Sequence, residues 1–163
     1  MNKAIIFGGC GYIGINYAEF LANKNEFEII YLADVQKPTQ NYLIKKFNNL
    51  FQAKKIIFLE INVRNEIINN DLKDIDLIVD CAAVHREPGH QDHEYYETNV
   101  NGSSNICKFA EKINCKNIIF TSSISTYGSG NHEKDESTET KPTTAYGKSK
   151  LEAETNYINW KQN

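Results

Sequence analysis

"KAIIF" at residues 3–7 runs directly into "GGCGYIG" at 8–14, and from there into a stretch with helical apolar spacing. A buried strand that turns on glycines straight into a helix is the opening unit of an open parallel α/β sheet. Gly8, Gly11 and Gly14 stand in a GxxGxxG spacing. Such a loop lets the backbone approach a pyrophosphate, while the helix N-terminus presents free N–H donors and partial positive charge to it. A tight strand-to-helix turn uses the same glycines, so the meaning of the loop depends on the rest of the chain.

The downstream sequence repeats the unit. Strand patterns are read at 28–33 ("EIIYLA"), 55–60 ("KIIFLE"), 76–83 ("DLIVDCAA") and 117–123 ("NIIFTSS"), and helical patterns at 12–24, 40–54 and 95–113. Strand and helix in alternation predict an α/β fold, a Rossmann-type doubly wound parallel sheet with helices on both faces. The unbroken apolarity of "AIIF", "LIV" and "IIF" suits strands covered on both sides. Residues 84–94 and 128–143 are polar and carry Gly and Pro, so they read as loops after the fourth and fifth strands, at the carboxyl ends where such sheets bind ligands. The 163 residues are expected to form one dinucleotide-binding domain over 1–163.

Asp34 closes the second strand 20 residues after Gly14, where a dinucleotide fold puts the carboxylate that accepts bonds from the adenosine ribose. A carboxylate there repels a 2′-phosphate, so NAD is expected over NADP, with Lys37 near enough to blur the preference. A strand-end aspartate capping the turn before Pro38 would look the same. Tyr146 and Lys150 stand at i and i+4 and share a helix face. A phenol ordinarily ionises near roughly 10, and roughly 4 kcal/mol of preferential phenolate stabilisation would make it a base at neutral pH. A neighbouring ammonium and a cationic nicotinamide ring can supply that. The pair then moves protons; taken alone, it also fits a solvated helix face.

The glycine loop, Asp34, "TSSISTYG" after the fifth strand and "YGKSK" together resemble the extended short-chain dehydrogenase/reductase superfamily, specifically its NAD-dependent nucleotide-sugar epimerase/dehydratase family. "AAVHREPGH" and "YYETNVNGSSNICKFAE" extend the likeness over the whole chain. The resemblance implies Tyr146 as acid/base, Lys150 as the residue that holds the nicotinamide ribose, Ser123 as the hydroxyl orienting the reacting sugar oxygen, and Asn99 as the helix asparagine that props the site. For the cofactor, NAD, it implies Tyr12 and Ile13 beside the glycines, Asn62 and Val63 at the adenine, and Ala82 and Ala83 beside the pyrophosphate and nicotinamide ribose. The family usually has aspartate where Asn62 stands, so weaker binding through the amide oxygen is expected there.

The implied reaction is nucleotide-sugar epimerisation, hydride removal and return at a sugar carbinol, in the making of cell-surface polysaccharide sugars. A non-catalytic NAD-binding module and a nucleotide-sugar reductase or dehydrogenase are the alternatives. Sugar 4,6-dehydratases of the family carry an Asp-Glu pair just after the active hydroxyl; Ile124 and Ser125 stand there instead, against that reaction. Relatives continue into a C-terminal substrate domain, which is expected to be absent here, with the sheet truncated after the Tyr-Lys helix. A homodimer is expected through the two helices flanking strand five, using Phe109, Ile113, Leu151, Ile158 and Trp160.

The rest of the composition is restrictive in other ways. A net charge of −3 gives no basic field for nucleic acid. No apolar run approaches the length of a membrane span or a signal segment, so no membrane partner and a cytoplasmic location are expected. Cys10, Cys81, Cys107 and Cys115 show no CxxC spacing and read as buried structural thiols. His85, His90, His93 and Asp92 crowd one loop, but a Gly/Pro-bearing loop does not guarantee convergent ligands, and no metal is expected. His85 and Arg86 are better placed as substrate contacts beside the sheet crevice; a plain solvated loop is the other reading.

Overall fold

The computed structural model describes residues 2–52, 56–130 and 133–162. Expected positions 53–55, at the end of the second helix and start of the third strand, and 131–132 in the later loop lie outside the described residues. The chain runs β1 (Lys3–Phe7), α1 (Tyr12–Lys24), β2 (Ile29–Asp34), α2 (Asn41–Gln52), β3 (Ile56–Glu60), β4 (Leu77–Asp80), α3 (Asp92–Tyr95), a π-helical turn (Tyr96–Asn101), α4 (Gly102–Lys112), β5 (Ile118–Phe120), a 3-10 turn (Ile124–Tyr127) and α5 (Ala145–Gln162).

All five strands pair in parallel, in the order β3-β2-β1-β4-β5. The strand alternation of side chains sends Ile5 and Phe7 to one face and Ala4 and Ile6 to the other. On the first face they join Ile106, Phe109 and Tyr157 from α4 and α5; on the second, Ile15, Ala18, Leu43 and Phe47 from α1 and α2. The sheet is thus doubly wound, as expected. After β2 and β3 the chain crosses back over β1 to build β4, and the reversal leaves a crevice at the carboxyl ends of β1 and β4.

Three boundaries differ from the sequence reading. β4 stops at Asp80 because the Ala82 N–H turns to the Asp80 side chain (2.9 Å to Oδ1) and leaves the ladder. β5 stops at Phe120 as the chain bends into the 3-10 turn, which Ser123 caps by accepting the Ser125 N–H at 3.1 Å. The helix expected from residue 95 starts at Asp92, where the Glu94 carboxylate accepts the Gln91 N–H at 2.8 Å and secures the first turn. Among the described residues no helix is long and apolar enough to cross a membrane.

The four cysteines are unpaired and buried or half-buried. Burial pushes the Cys10 and Cys107 thiols up to about 12 and Cys81 up to about 11, so they are inert structural groups. The dimer expectation needs one correction: Phe109 is 3% exposed and packs edge-on against Phe7 in the core, whereas Ile113, Leu151 and Trp160 are partly exposed. Ile158 does remain outward on α5.

Candidate dinucleotide and proton-transfer site

A cleft of about 740 Å³ opens over the crevice. Gly8, Gly11, Tyr12, Ile13 and Gly14 form its floor at the start of α1, Asp34 and the 61–64 segment one end, and Ala82, Ala83, Tyr146 and Lys150 the other. The loop glycines differ in what they do. Gly8 adopts φ +68°, and a Cβ there would meet the Ala82 nitrogen at 2.6 Å; a Cβ on Gly14 would meet the Gly8 carbonyl at 2.4 Å. These two let β1, β4 and α1 close up. At Gly11 a Cβ would touch only the Gly8 oxygen, at 3.3 Å, so the missing side chain leaves room in the cleft itself. No side chain caps α1 and no acid sits in its first turn, so the N–H groups are left for an anion. This cradle fits a dinucleotide pyrophosphate.

Asp34 is held by N–H groups on both oxygens, Cys10 to Oδ2 at 2.9 Å and Val35 to Oδ1 at 2.8 Å. Burial pushes its carboxyl above the usual range, and the N–H donors from Cys10, Val35 and Gln36 pull it back. A carboxylate offers about four acceptor positions, so capacity for ribose hydroxyls remains. The Lys37 ammonium lies over the Phe58 ring, 5.5 Å from its centroid. Asn62 lines the cleft, but its Oδ1 accepts the Arg64 N–H at 3.0 Å, so the oxygen expected to read the base is already engaged in a local turn. Val63 lies beside it, buried.

At the other end, Thr144 caps α5 by accepting the Gly147 N–H at 3.1 Å, and the helix then presents Tyr146 and Lys150 to the cleft. The ring of Tyr146 lies 6.1 Å from that of buried Tyr95. Lys150 is 1% exposed, with its Nζ 4.0 Å from the Phe120 ring centroid. Burial pushes Lys150 below the ordinary lysine range, opposed chiefly by Asp80.

Asn99 does not line the cleft but binds its walls together. Its Oδ1 accepts the Val84 N–H at 3.0 Å, and its Nδ2 donates to the Val84 carbonyl (3.2 Å) and Ser149 Oγ (2.9 Å). Ser149 in turn donates to the Tyr146 carbonyl at 2.8 Å. Ser123 is not among the cleft-lining residues; Thr121 and Ser122, just before it, line the cleft, and Ile124 and Ser125 line a smaller neighbouring hollow. His85 reaches the cleft and Arg86 is not among its lining residues. Among the described residues no His/Cys/Asp/Glu group is disposed to hold a metal ion.

The sequence reading missed Arg64, Thr98, Tyr95, Asp80 and Tyr157. Arg64 donates to Thr98 Oγ1 (2.7 Å) and pairs with Glu97 (3.2 Å) at the cleft margin. Nothing in the sequence marks these groups except the polar Asp80 in an otherwise apolar strand.

A glycine turn that opens a helix beside a carboxylate-tipped strand defines the class: a dinucleotide-binding α/β domain with a tyrosine–lysine pair at the far end of its cleft. The chain belongs to the NAD-dependent epimerase/dehydratase family, whose sequence model matches residues 4–163, and its cofactor is accordingly NAD. A UDP-glucose 4-epimerase of Halalkalibacterium halodurans is 30% identical over 92% of this chain and 43% of its own length. An Escherichia coli O157:H7 N-acetyl-alpha-D-glucosaminyl-diphospho-ditrans,octacis-undecaprenol 4-epimerase is 39% identical over 58% of this chain and 29% of its own. The solved UDP-glucuronic acid 4-epimerase of Bacillus cereus, in complex with UDP-glucuronic acid and NAD, superposes with a TM-score of 0.85 at 21% identity, covering 99% of this chain and 52% of that one. The chain thus spans about half the length or less of these three proteins.

Proposed function

We propose that this chain is the NAD-binding and proton-transfer portion of a nucleotide-sugar 4-epimerase. The observation that carries the reading is a single cleft lined at one end by the glycine loop and Asp34 and at the other by Tyr146 and Lys150. NAD, when bound, supplies the site that accepts and returns a hydride. Gly8 to Gly14 hold its pyrophosphate, Asp34 its adenosine ribose, and Lys150 its second ribose. Tyr146 takes the proton from the sugar's 4-hydroxyl and gives it back, and Ser123, next to the cleft-lining Ser122, steadies that oxygen. Ile124, exposed where a dehydratase would need a carboxylate, supports return of hydride over loss of water. His85, which lines the cleft, is placed to contact the nucleotide-sugar, with Arg86 beside it in the same loop. The outward Ile158 on α5 supports a homodimer through α4 and α5, with sedimentation as the check.

The test has two stages. Calorimetric titration should give tighter binding of NAD than of NADP. Epimerisation of UDP-hexoses should then be assayed for the chain alone and for the chain joined to the second half of a relative. Activity is expected in the joined form, because positioning the sugar to within 1 Å is worth on the order of a hundredfold and needs grip on the nucleotide. Tyr146→Phe should lower that activity by about 10²–10⁴-fold while leaving NAD binding. Binding of NAD with full activity in Tyr146→Phe would reject the assignment.

A further inference from the structure

Beneath the cleft lies a buried cluster of Asp80, Phe120 and Tyr157 around Lys150, of which the proposed function uses Lys150 alone. Asp80 ends β4 and Phe120 ends β5 as its register partner, so both side chains leave the sheet on one face, under α5. Tyr157 and Lys150, two helical turns apart, cover them from α5. The Tyr157 hydroxyl donates to Asp80 Oδ2 at 2.6 Å, and its ring packs on Phe120 with centroids 4.8 Å apart. Lys150 Nζ sits on that same Phe120 ring. The second Asp80 oxygen accepts the Ala82 N–H. Burial pushes the Asp80 carboxyl above its usual range, and the donors that meet both its oxygens, together with Lys150, pull it back.

Asp80 and Lys150 are 2% and 1% exposed. A buried charge is costly unless an opposite charge compensates it. The other groups around Lys150 are poorer candidates. Cys81, just after β4, keeps its proton at neutral pH because burial holds its thiol at about 11. Glu154, one turn on along α5, is half-exposed and receives the hydroxyl of Ser122. Tyr146 stands one turn before. Among these, Asp80 is the fully buried carboxyl group.

We propose that Asp80, oriented by Tyr157, is the counter-ion that keeps Lys150 an ammonium, and is thereby a positioning residue for proton transfer at Tyr146. The proposal rests on the tyrosine–lysine pair as the proton-transfer group, yet its first link can be measured without cofactor or sugar. Burial pushes Lys150 down and Asp80 is foremost among the groups holding it up, which agrees with the geometry.

The test is the titration of Lys150 itself, followed by NMR in chain carrying ¹³C/¹⁵N-lysine, with the signal assigned by its loss in Lys150→Arg. Asp80→Asn, which keeps shape and removes charge, should lower the titration midpoint by about one pH unit or more, about tenfold more free amine at a given pH. Tyr157→Phe should lower it by less, and Glu154→Gln by under about 0.3 unit. If Asp80→Asn does not fold, Tyr157→Phe carries the test. An unchanged midpoint in the variant tested, or an equal fall in Glu154→Gln, overturns the proposal. Failure of NAD to bind the unsubstituted chain would instead remove the functional reading and leave the titration standing.

Discussion

Gly11→Ala and Gly14→Ala add the same methyl to the same loop three residues apart, and they are expected to fail in different ways. At Gly14 the new Cβ would lie 2.4 Å from the Gly8 carbonyl oxygen and 2.6 Å from the Gly9 Cα. Both obstacles are backbone, so no side-chain rotation relieves them, and the overpacking should cost about 3 kcal/mol. In a chain of this size each kcal/mol moves Tm by roughly 2–4 °C, giving a fall of roughly 6–12 °C. At Gly11 the Cβ meets one atom at 3.3 Å, and the backbone lies at φ −75°, which alanine adopts freely. Losing glycine at this helix cap costs about 1 kcal/mol, and stiffening the unfolded chain recovers about 0.4–1 kcal/mol, so Tm should hold. The methyl nevertheless projects where a pyrophosphate must touch backbone, and NAD affinity should drop at least about tenfold. The assay is thermal melting with and without NAD, where ligand at about 100 times its Kd adds about 2.7 kcal/mol to the unsubstituted chain. Gly11→Ala should melt normally and lose that increment. A Gly11→Ala chain stabilised by NAD as much as the parent, or a Gly14→Ala chain with unchanged Tm, would refute the division of labour.

Asp34→Ala should narrow the preference for NAD over NADP, because the 2′-phosphate no longer meets a carboxylate; paired calorimetric titrations read it directly. Asn99→Ala should destabilise the fold by about 2–3 kcal/mol, since the Val84 N–H and carbonyl and the Ser149 hydroxyl lose their partner together; urea unfolding measures it. Stability should fall as pH rises from about 9 towards 11–12. Unfolded thiols release protons from about 9, while folded Cys10, Cys81 and Cys107 keep theirs to about 12, 11 and 12, so the unfolded state binds fewer protons and gains. Denaturant midpoints across that range that stay flat would contradict the burial of these thiols.

The elements that sequence made legible are those whose signal is local. The glycine spacing, the apolar strand runs and the i,i+4 pair on α5 each depend on neighbours a turn or a strand away, and β1 and α1 match their expected bounds. The early ends of β4 and β5 were illegible because Asp80 and Ser123 divert the backbone with their own side chains, a choice that apolar periodicity does not encode. Asn62 fits the same pattern: its position was readable, but the turn that occupies its oxygen was not. Nothing in its local sequence sets Tyr157 apart. Its hydroxyl acquires meaning only when β4, 77 residues away in sequence, arrives beneath it.

The π-helical turn at Tyr96–Asn101 carries a consequence for length variation in this region. Such a turn holds one residue more than an α-helix would, and it lets Tyr95 face Tyr146 while Asn99, one turn on, reaches Val84 and Ser149. It also frees the Val100 carbonyl to accept from Ser103 Oγ at 2.8 Å and Asn156 Nδ2 at 3.2 Å. Removing one of the six residues would let the segment close as an ordinary α-helix, with α3 and α4 keeping nearly the same phase. Shortening the segment by one amino acid would therefore spare the helix directions and close the wider turn that leaves the Val100 carbonyl open to Asn156, whereas trimming an equal length from the 135–138 turn would leave that contact alone.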